Sequence, residues 1–381
     1  MGKTLLVSLV SDQTIPNVQL INEFQDQIDE YLFISTTLME KKNVRKWIVK
    51  ACNLPDSKLV EPVIVDQFSF DDIEIKLDAY SFDSLDKVIV NLTGGTKVMT
   101  LASFDFFRDL GAEIFYLTGS DDTLIKLSPG RKKKVEKLRS TVNVMQYLNA
   151  YGFDIKESLG SDIPIDYTIQ FFTYFVEGKI QPYNDVLNFL RPKRDKNYVT
   201  IKNIERLSDL LQEVNFPSKN ADQLNHLEIK YLTGEWFEEY ITYTLIKELG
   251  LNNDQIKVGL NIFKKNKDGI SIPNEMDVLF TWKNKLYTIE CKTSLFYESL
   301  QSDGTYKTNS IISETLYKSD SLKQGLGLFV NPYLFVLDNL SDYWAKIRTH
   351  MNRAELFNIK IIDKKALTSG VPLRSLIGIE I

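Results

Sequence analysis

Through the first 130 residues, short apolar runs alternate with stretches of helical period. Residues 4–10, 31–36, 59–65, 87–93, 113–118 and 123–128 are nearly continuous in apolar side chains and predict strands. Between them, VQLINEFQDQI, KNVRKWIVKACNL and TKVMTLASFDFFRDL repeat apolar residues every three or four positions. Strands apolar on both faces suit a sheet covered by helices on both sides. The alternation predicts a doubly wound, mostly parallel α/β sheet closed by a terminal hairpin.

The pattern changes after residue 130. A basic run at 131–134 reads as a solvated linker, and a helical pattern follows over 142–153. Polar, irregular segments and a helix around 201–214 come next. A second α/β unit then opens with a long amphipathic helix over 229–250, with Gly250 as its stop. Strands are predicted at 255–263, 275–282 and 285–293, the last two joined by the turn Lys283-Asn284-Lys285. A helix ending near Gly325 and a strand at 333–337 complete the pattern. The expected organisation is a domain at 1–138, a connecting region at 139–228 and a second domain at 229–381.

Composition narrows the chemistry. A chain of 381 residues, 43% hydrophobic and 25% charged, is an ordinary globular protein of two or three domains. The net charge of −5 argues against a surface coated in positive charge for constitutive nucleic-acid binding. Only Cys52, Cys291, His226 and His350 could supply soft or imidazole ligands, so a disulfide framework and a Cys/His zinc site are discounted. A reducing cytoplasm is the expected compartment. No run is long enough for a membrane helix, and the N-terminus lacks the marks of a signal peptide, so no membrane partner is expected. Metal chemistry, if any, must lean on carboxylates.

Two clusters could carry that chemistry. In the first, Asn91-Leu92-Thr93-Gly94-Gly95-Thr96-Lys97 sits where a strand passes into a helix. The glycines permit close backbone approach, Thr96 can cap the helix, and its free N–H groups and Lys97 favour an anion. Ser11, Asp12 and Gln13 follow the first strand. Ligands of parallel sheets bind at such strand ends, so the two loops predict a nucleotide or phosphate pocket. A capped glycine turn with no ligand accounts for the same letters. The loop is neither a Walker loop nor a GxGxxG turn.

This N-terminal third resembles the CARF domains of CRISPR ancillary proteins, Rossmann-like dimers that bind cyclic oligoadenylate across their two-fold axis. The resemblance implies a pocket built from Thr93, Gly94, Gly95, Thr96 and Lys97 with Ser11, Asp12 and Gln13, and with Thr36 and Thr37 as further candidates.

The second cluster is Asp277 with Glu290-Cys291-Lys292. Glu290 and Lys292 share a strand face, and Asp277 lies on the preceding strand of a predicted hairpin. Two converging carboxylates suit Mg²⁺ or Mn²⁺, and a nearby lysine can stabilise developing charge. Glu235, Glu238 and Glu239, within about one helical turn, offer a further carboxylate. A solvated hairpin face would show the same alternation, but the apolar run ahead of Glu290 looks central, where charge is costly.

Helix Glu, strand Asp and strand E-x-K in this order resemble the PD-(D/E)xK nucleases, with Met276 in the proline position. GEWFEEY and the later LYKSDSLKQGLG look like the nuclease half of CARF–PD-(D/E)xK effectors. The resemblance implies Glu238, Asp277 and Glu290 as metal ligands, Lys292 as their catalytic partner, and Lys318 and Gln324 as phosphate contacts. It implies a homodimeric effector of type III CRISPR defence, activated by cyclic oligoadenylate with cyclic tetra-adenylate as the default. Its Mn²⁺- or Mg²⁺-dependent cleavage would act on DNA, with RNA a further candidate and single strands favoured. A nucleotide-responsive nucleic-acid-binding regulator without cleavage, and a restriction-type endonuclease not controlled by cyclic nucleotide, stay open as alternatives.

Overall fold

The computed structural model describes residues 2–380 except 120–121, 131–132, 158–159, 266–270 and 301–305; at 265, 272, 297–300 and 306–309 only the backbone is described. Residues 131–132 of the basic run therefore lie outside the described residues.

The N-terminal sheet is built from β1 (Lys3–Leu9), α1 (Ile15–Phe24), β2 (Glu30–Ser35), α2 (Thr37–Lys41), α3 (Val44–Ala51), β3 (Val63–Ile64), α4 (Phe70–Asp78), β4 (Leu85–Asn91), α5 (Lys97–Asp109), β5 (Glu113–Thr118), β6 (Thr123–Ser128) and β7 (Lys134–Lys137). Its strand order is β3-β2-β1-β4-β5-β6-β7. The first five pair in parallel, and β6 and β7 close the edge antiparallel. Separate apolar clusters cover the two faces, one around Leu5, Val7 and Val90 and the other around Leu6, Phe33 and Ile89. The expected doubly wound sheet is present.

Three details depart from the expected pattern. The strand expected over 59–65 shrinks to two residues: Leu59 makes one bridge to Tyr31, and Pro62, which has no N–H, interrupts the ladder at this edge. Lys134, read as linker, instead opens β7. The stretch read as connecting is divided between the two halves. Its α6 (Val144–Ala150) packs on α3, and β8 (Asp154–Glu157) joins the second sheet.

The rest of that stretch comprises α7 (Ile165–Val176), α8 (Asn184–Leu190), β9 (Tyr198–Thr200), α9 (Leu207–Glu213) and β10 (Gln223–Asn225). Phe171, Leu190, Leu207 and Leu210 from these elements share one core with Phe237, Phe280 and Phe335 further along the chain. The second unit continues with α10 (His226–Lys230), α11 (Trp236–Leu249), β11 (Ile256–Lys265), β12 (Ser271–Trp282), β13 (Lys285–Lys292), β14 (Phe296–Leu300), β15 (Tyr306–Ser310), α12 (Ile312–Gly325), β16 (Val330–Val336), α13 (Trp344–Leu356) and β17 (Lys360–Ile362). Its sheet runs β17-β16-β13-β12-β11-β8.

The long helix expected over 229–250 is broken. The helical turns loosen over Tyr231–Glu235, where Gly234 leaves helical geometry and Thr233 Oγ1 donates to the Ile229 carbonyl at 2.7 Å. Gly250 does end α11 in the left-handed conformation (φ 66°). The β12–β13 turn needs only Lys283 and Asn284, both at positive φ, and its twist matches the strands it joins.

The two halves share a core. Ile15, Val18, Val144 and Tyr147 pack with Leu260, Met276, Leu279 and Leu286 of the second sheet. The strand that carries Asp277 is thus packed directly against the N-terminal domain. Among the described residues, no helix is long and apolar enough to cross a membrane.

Candidate active site

β12 and β13 pair with Val278 opposite Ile289, which puts Asp277 beside Glu290 on adjacent strands. Both carboxylates are buried. Lys292 Nζ donates to Asp277 Oδ2 at 2.9 Å and to Glu290 Oε2 at 3.3 Å. Asp277 Oδ2 also accepts from the Cys291 N–H at 2.7 Å. Lys318, projecting from α12, donates to Glu290 Oε1 at 2.8 Å and to the Glu275 carbonyl at 2.6 Å. Removing one partner from a buried pair of this kind typically costs about 3–5 kcal/mol.

A cavity of about 340 Å³ opens beside this cluster, lined by Glu235, Glu238, Glu275, Asp277 and Lys292 and by Arg191 and Arg194. Three glutamates around it are held above the ordinary carboxylate range. Burial does most of this at Glu238, followed by repulsion from Asp277 and Glu235. Burial also leads at Glu290, with Asp277 adding to it, and at Glu235. Burial opposes the charge on Lys292, but Asp277 and Glu290 outweigh it and hold the ammonium protonated. Five carboxyl groups, Glu235, Glu238, Glu275, Asp277 and Glu290, thus gather here against four cations, Lys292, Lys318, Arg191 and Arg194.

That imbalance, and a donor set of carboxylate oxygens alone, suit a hard divalent cation. Among the described residues, no three carboxylate, imidazole or thiol groups stand close enough together to hold an ion as they are. The ammonium of Lys292 lies between Asp277 and Glu290 instead.

Of the helix glutamates, Glu238 faces the cavity, whereas Glu239 turns away and accepts from the hydroxyls of Ser161 and Thr168. Lys318 lies in the cluster. Gln324, also expected near phosphate, does not: it is exposed and donates to Asp320. Sequence reasoning missed Glu275, whose alternation with Asp277 on β12 was the available signal, and it missed Arg191 and Arg194 altogether.

In the N-terminal sheet, the loops holding Ser11–Gln13, Thr36–Thr37 and Thr93–Lys97 follow β1, β2 and β4, three adjacent strands. Strand order reverses between β1 and β4, the position where such sheets take ligands. A Cβ on Gly94 would stand 2.5 Å from the Leu9 carbonyl and 3.3 Å from Ser11 Oγ, so glycine lets the two loops touch. Gly95 takes φ +79°. Several side chains are already engaged. Thr96 Oγ1 caps α5 at Met99 N and donates to the Gln67 carbonyl at 2.8 Å. Thr93 Oγ1 accepts from Leu117 N at 2.9 Å. Asp12 pairs with Lys42 at 2.8 Å, and Thr37 borders a shallow groove with Gln67 and Lys76. Lys97 is exposed and unpaired among the described residues. Gln13 faces the other half of the molecule, accepting from Tyr151 Oη at 3.3 Å and Leu328 N at 3.2 Å.

Residues 5–147 match the family model of the Card1 CARF domain, and residues 225–368 match that of the Card1-like endonuclease domain. The chain joins a CARF domain to a Card1-like endonuclease domain. No curated protein matches it. Among solved structures, protein VC1899 from Vibrio cholerae is similar over 96% of this chain and 95% of its own, with TM-score 0.73 and 18% identity. Can2 from Sulfobacillus thermosulfidooxidans, solved in complex with cyclic tetra-adenylate, is similar over 98% and 99%, with TM-score 0.70 and 22% identity. A type III CRISPR defence DNA nuclease activated by cyclic oligoadenylate is similar over 88% of this chain and 45% of its own, with TM-score 0.52 and 18% identity. At these identities the likeness speaks for the fold. The loops after β1, β2 and β4 thus belong to the CARF domain, and the Asp277–Glu290–Lys292 cluster belongs to the endonuclease domain.

Proposed function

We propose that the chain is a metal-dependent nuclease of type III CRISPR defence, switched on by cyclic tetra-adenylate. The observation that carries this reading is the surplus of buried carboxylate beside Lys292 in an endonuclease domain whose neighbour is a CARF domain. Glu238, Asp277 and Glu290 are the residues that would hold Mg²⁺ or Mn²⁺. Such an ion would supply Lewis acidity at the phosphate and a water of lowered pKa. Lys292, held protonated, stabilises negative charge developing on the phosphate. Lys318 keeps Glu290 oriented. DNA is the substrate proposed, with single strands favoured and RNA a second candidate.

Activation has a physical route. Gln13 accepts from the N–H of Leu328, two residues before β16, and β16 pairs in parallel with the strand that carries Glu290 and Lys292. A ligand that favours one arrangement of this loop biases the catalytic strands by its difference in affinity between the two arrangements. Leu38, Phe68 and Leu101 are exposed hydrophobic residues around the CARF pocket, and they support a homodimer in which a second copy completes it.

The test is Mn²⁺-dependent cleavage of single- and double-stranded DNA and of RNA, with cyclic adenylates of three, four and six units, by the wild type and by Glu290→Ala plus Lys292→Ala. The variant is expected to bind cyclic tetra-adenylate and cut nothing. Undiminished metal-dependent cutting by it refutes the assignment.

A further inference from the structure

A second cavity, of about 290 Å³, adjoins the carboxylate site and shares Arg191, Thr233, Thr293, Ser294 and Phe296 with it, so the two form one continuous cleft. Its wall is aromatic on one side, where Phe296 packs on Tyr343 with ring centroids 4.4 Å apart and Phe175 packs on Trp236 at 5.7 Å.

At the junction stand two arginines from the segment after α8. Arg191 donates to Asn188 Oδ1 and, at 3.0 Å, to Thr293 Oγ1. Arg194 donates to Thr233 Oγ1 at 2.7 Å and to the Thr233 carbonyl at 2.6 Å. All these acceptors are neutral, and among the described residues neither guanidinium is ion-paired. Asp338, on the cavity wall, is taken up by Leu295 N at 2.7 Å and Ser294 Oγ at 3.2 Å. Burial and then repulsion from Arg194 work against the charge on Arg191, and the field of Asp338 only partly offsets them. The chain also makes room for Arg194: a Cβ on Gly234 would meet its Nη2 at 2.7 Å. Two partly buried like charges, each fixed by neutral hydrogen bonds rather than by a contact ion pair and standing where the two cavities meet, make a seat for an anion.

We propose that Arg191 and Arg194 hold the phosphodiester next to the one cut, with its base lying along the Phe296–Tyr343 wall. This rests on the nuclease reading. Stacking on aromatic side chains tolerates any base, so the seat positions a single strand without reading its sequence.

The test is equilibrium binding of a short fluorescent single-stranded oligodeoxynucleotide to the full chain in EDTA across a salt series, for wild type, Arg191→Gln, Arg194→Gln and Arg191→Lys. Each glutamine variant is expected to bind about tenfold more weakly. Its slope of log affinity against log salt should flatten by about 0.7, the value of one single-strand phosphate contact, and Arg191→Lys should restore the slope. A merely structural arginine would lower the melting temperature without changing that slope. Unchanged slopes in both glutamine variants, with wild type binding normally, overturn the seat while leaving the nuclease reading intact. A wild type that neither binds nor cuts single strands overturns both.

Discussion

The two candidate pockets handle polar groups in opposite ways. In the endonuclease domain, Glu235, Glu238 and Glu290 are held above their ordinary pKa range, first by burial and then by neighbouring carboxylates. In the CARF domain, the Thr93 and Thr96 hydroxyls are satisfied by the protein's own backbone, and Lys97 stands exposed at the rim. The first pocket is built to do chemistry on what it binds. The second is built from backbone and glycine, and can hold an anion or let it go without unbalancing the fold.

The largest break in this contrast comes from Asp277→Asn. Cleavage is expected to fall by about a thousandfold or more, the scale of losing a principal electrostatic group, while titration calorimetry still finds cyclic tetra-adenylate binding. Loss of nucleotide binding would show that the two pockets are not separable.

Lys97→Ala is next in size. One charge-assisted phosphate contact corresponds to about a tenfold change, so half-maximal activation should need about ten times more cyclic tetra-adenylate with the maximal rate kept. Thr96→Ala is the poorer probe, because losing that cap alone costs about 1 kcal/mol of stability.

Gln13→Ala addresses the link between the halves. The ratio of stimulated to basal cleavage is expected to fall about fivefold, the low end of ordinary coupling. An unaltered ratio would move the route of activation elsewhere.

The smallest effect sharpens the electrostatic half of the comparison. Glu238 has its folded pKa raised, so the stability it contributes is present at acid pH and lost as pH rises through that raised value. On account of this group, metal-free protein should therefore lose melting temperature as the pH is raised from the ordinary carboxylate range to pH 8. Glu238→Gln should raise the metal-free melting temperature at pH 8 by about 2–4 °C, while in the wild type Mn²⁺ supplies that gain instead. A variant that melts lower than wild type at pH 8 would contradict the raised pKa.

Much of this was legible in the letters because it is local. Apolar runs and helical period located the strand–helix alternation, and the two-residue spacing of Glu290 and Lys292 put them on one face. Glu238 could not be separated from Glu239 by spacing, since only the fold brings Ser161 and Thr168 to the latter. Arg194 and Thr233 lie 39 residues apart, and nothing near either residue signals the other. The break near Gly234 was hidden as well, because its helical period continues on both sides.

The most direct test is the rate at which wild-type protein cuts single-stranded DNA in Mn²⁺, with and without saturating cyclic tetra-adenylate. The account predicts negligible cutting without the nucleotide and rapid cutting with it. Equal rates in both conditions would contradict it.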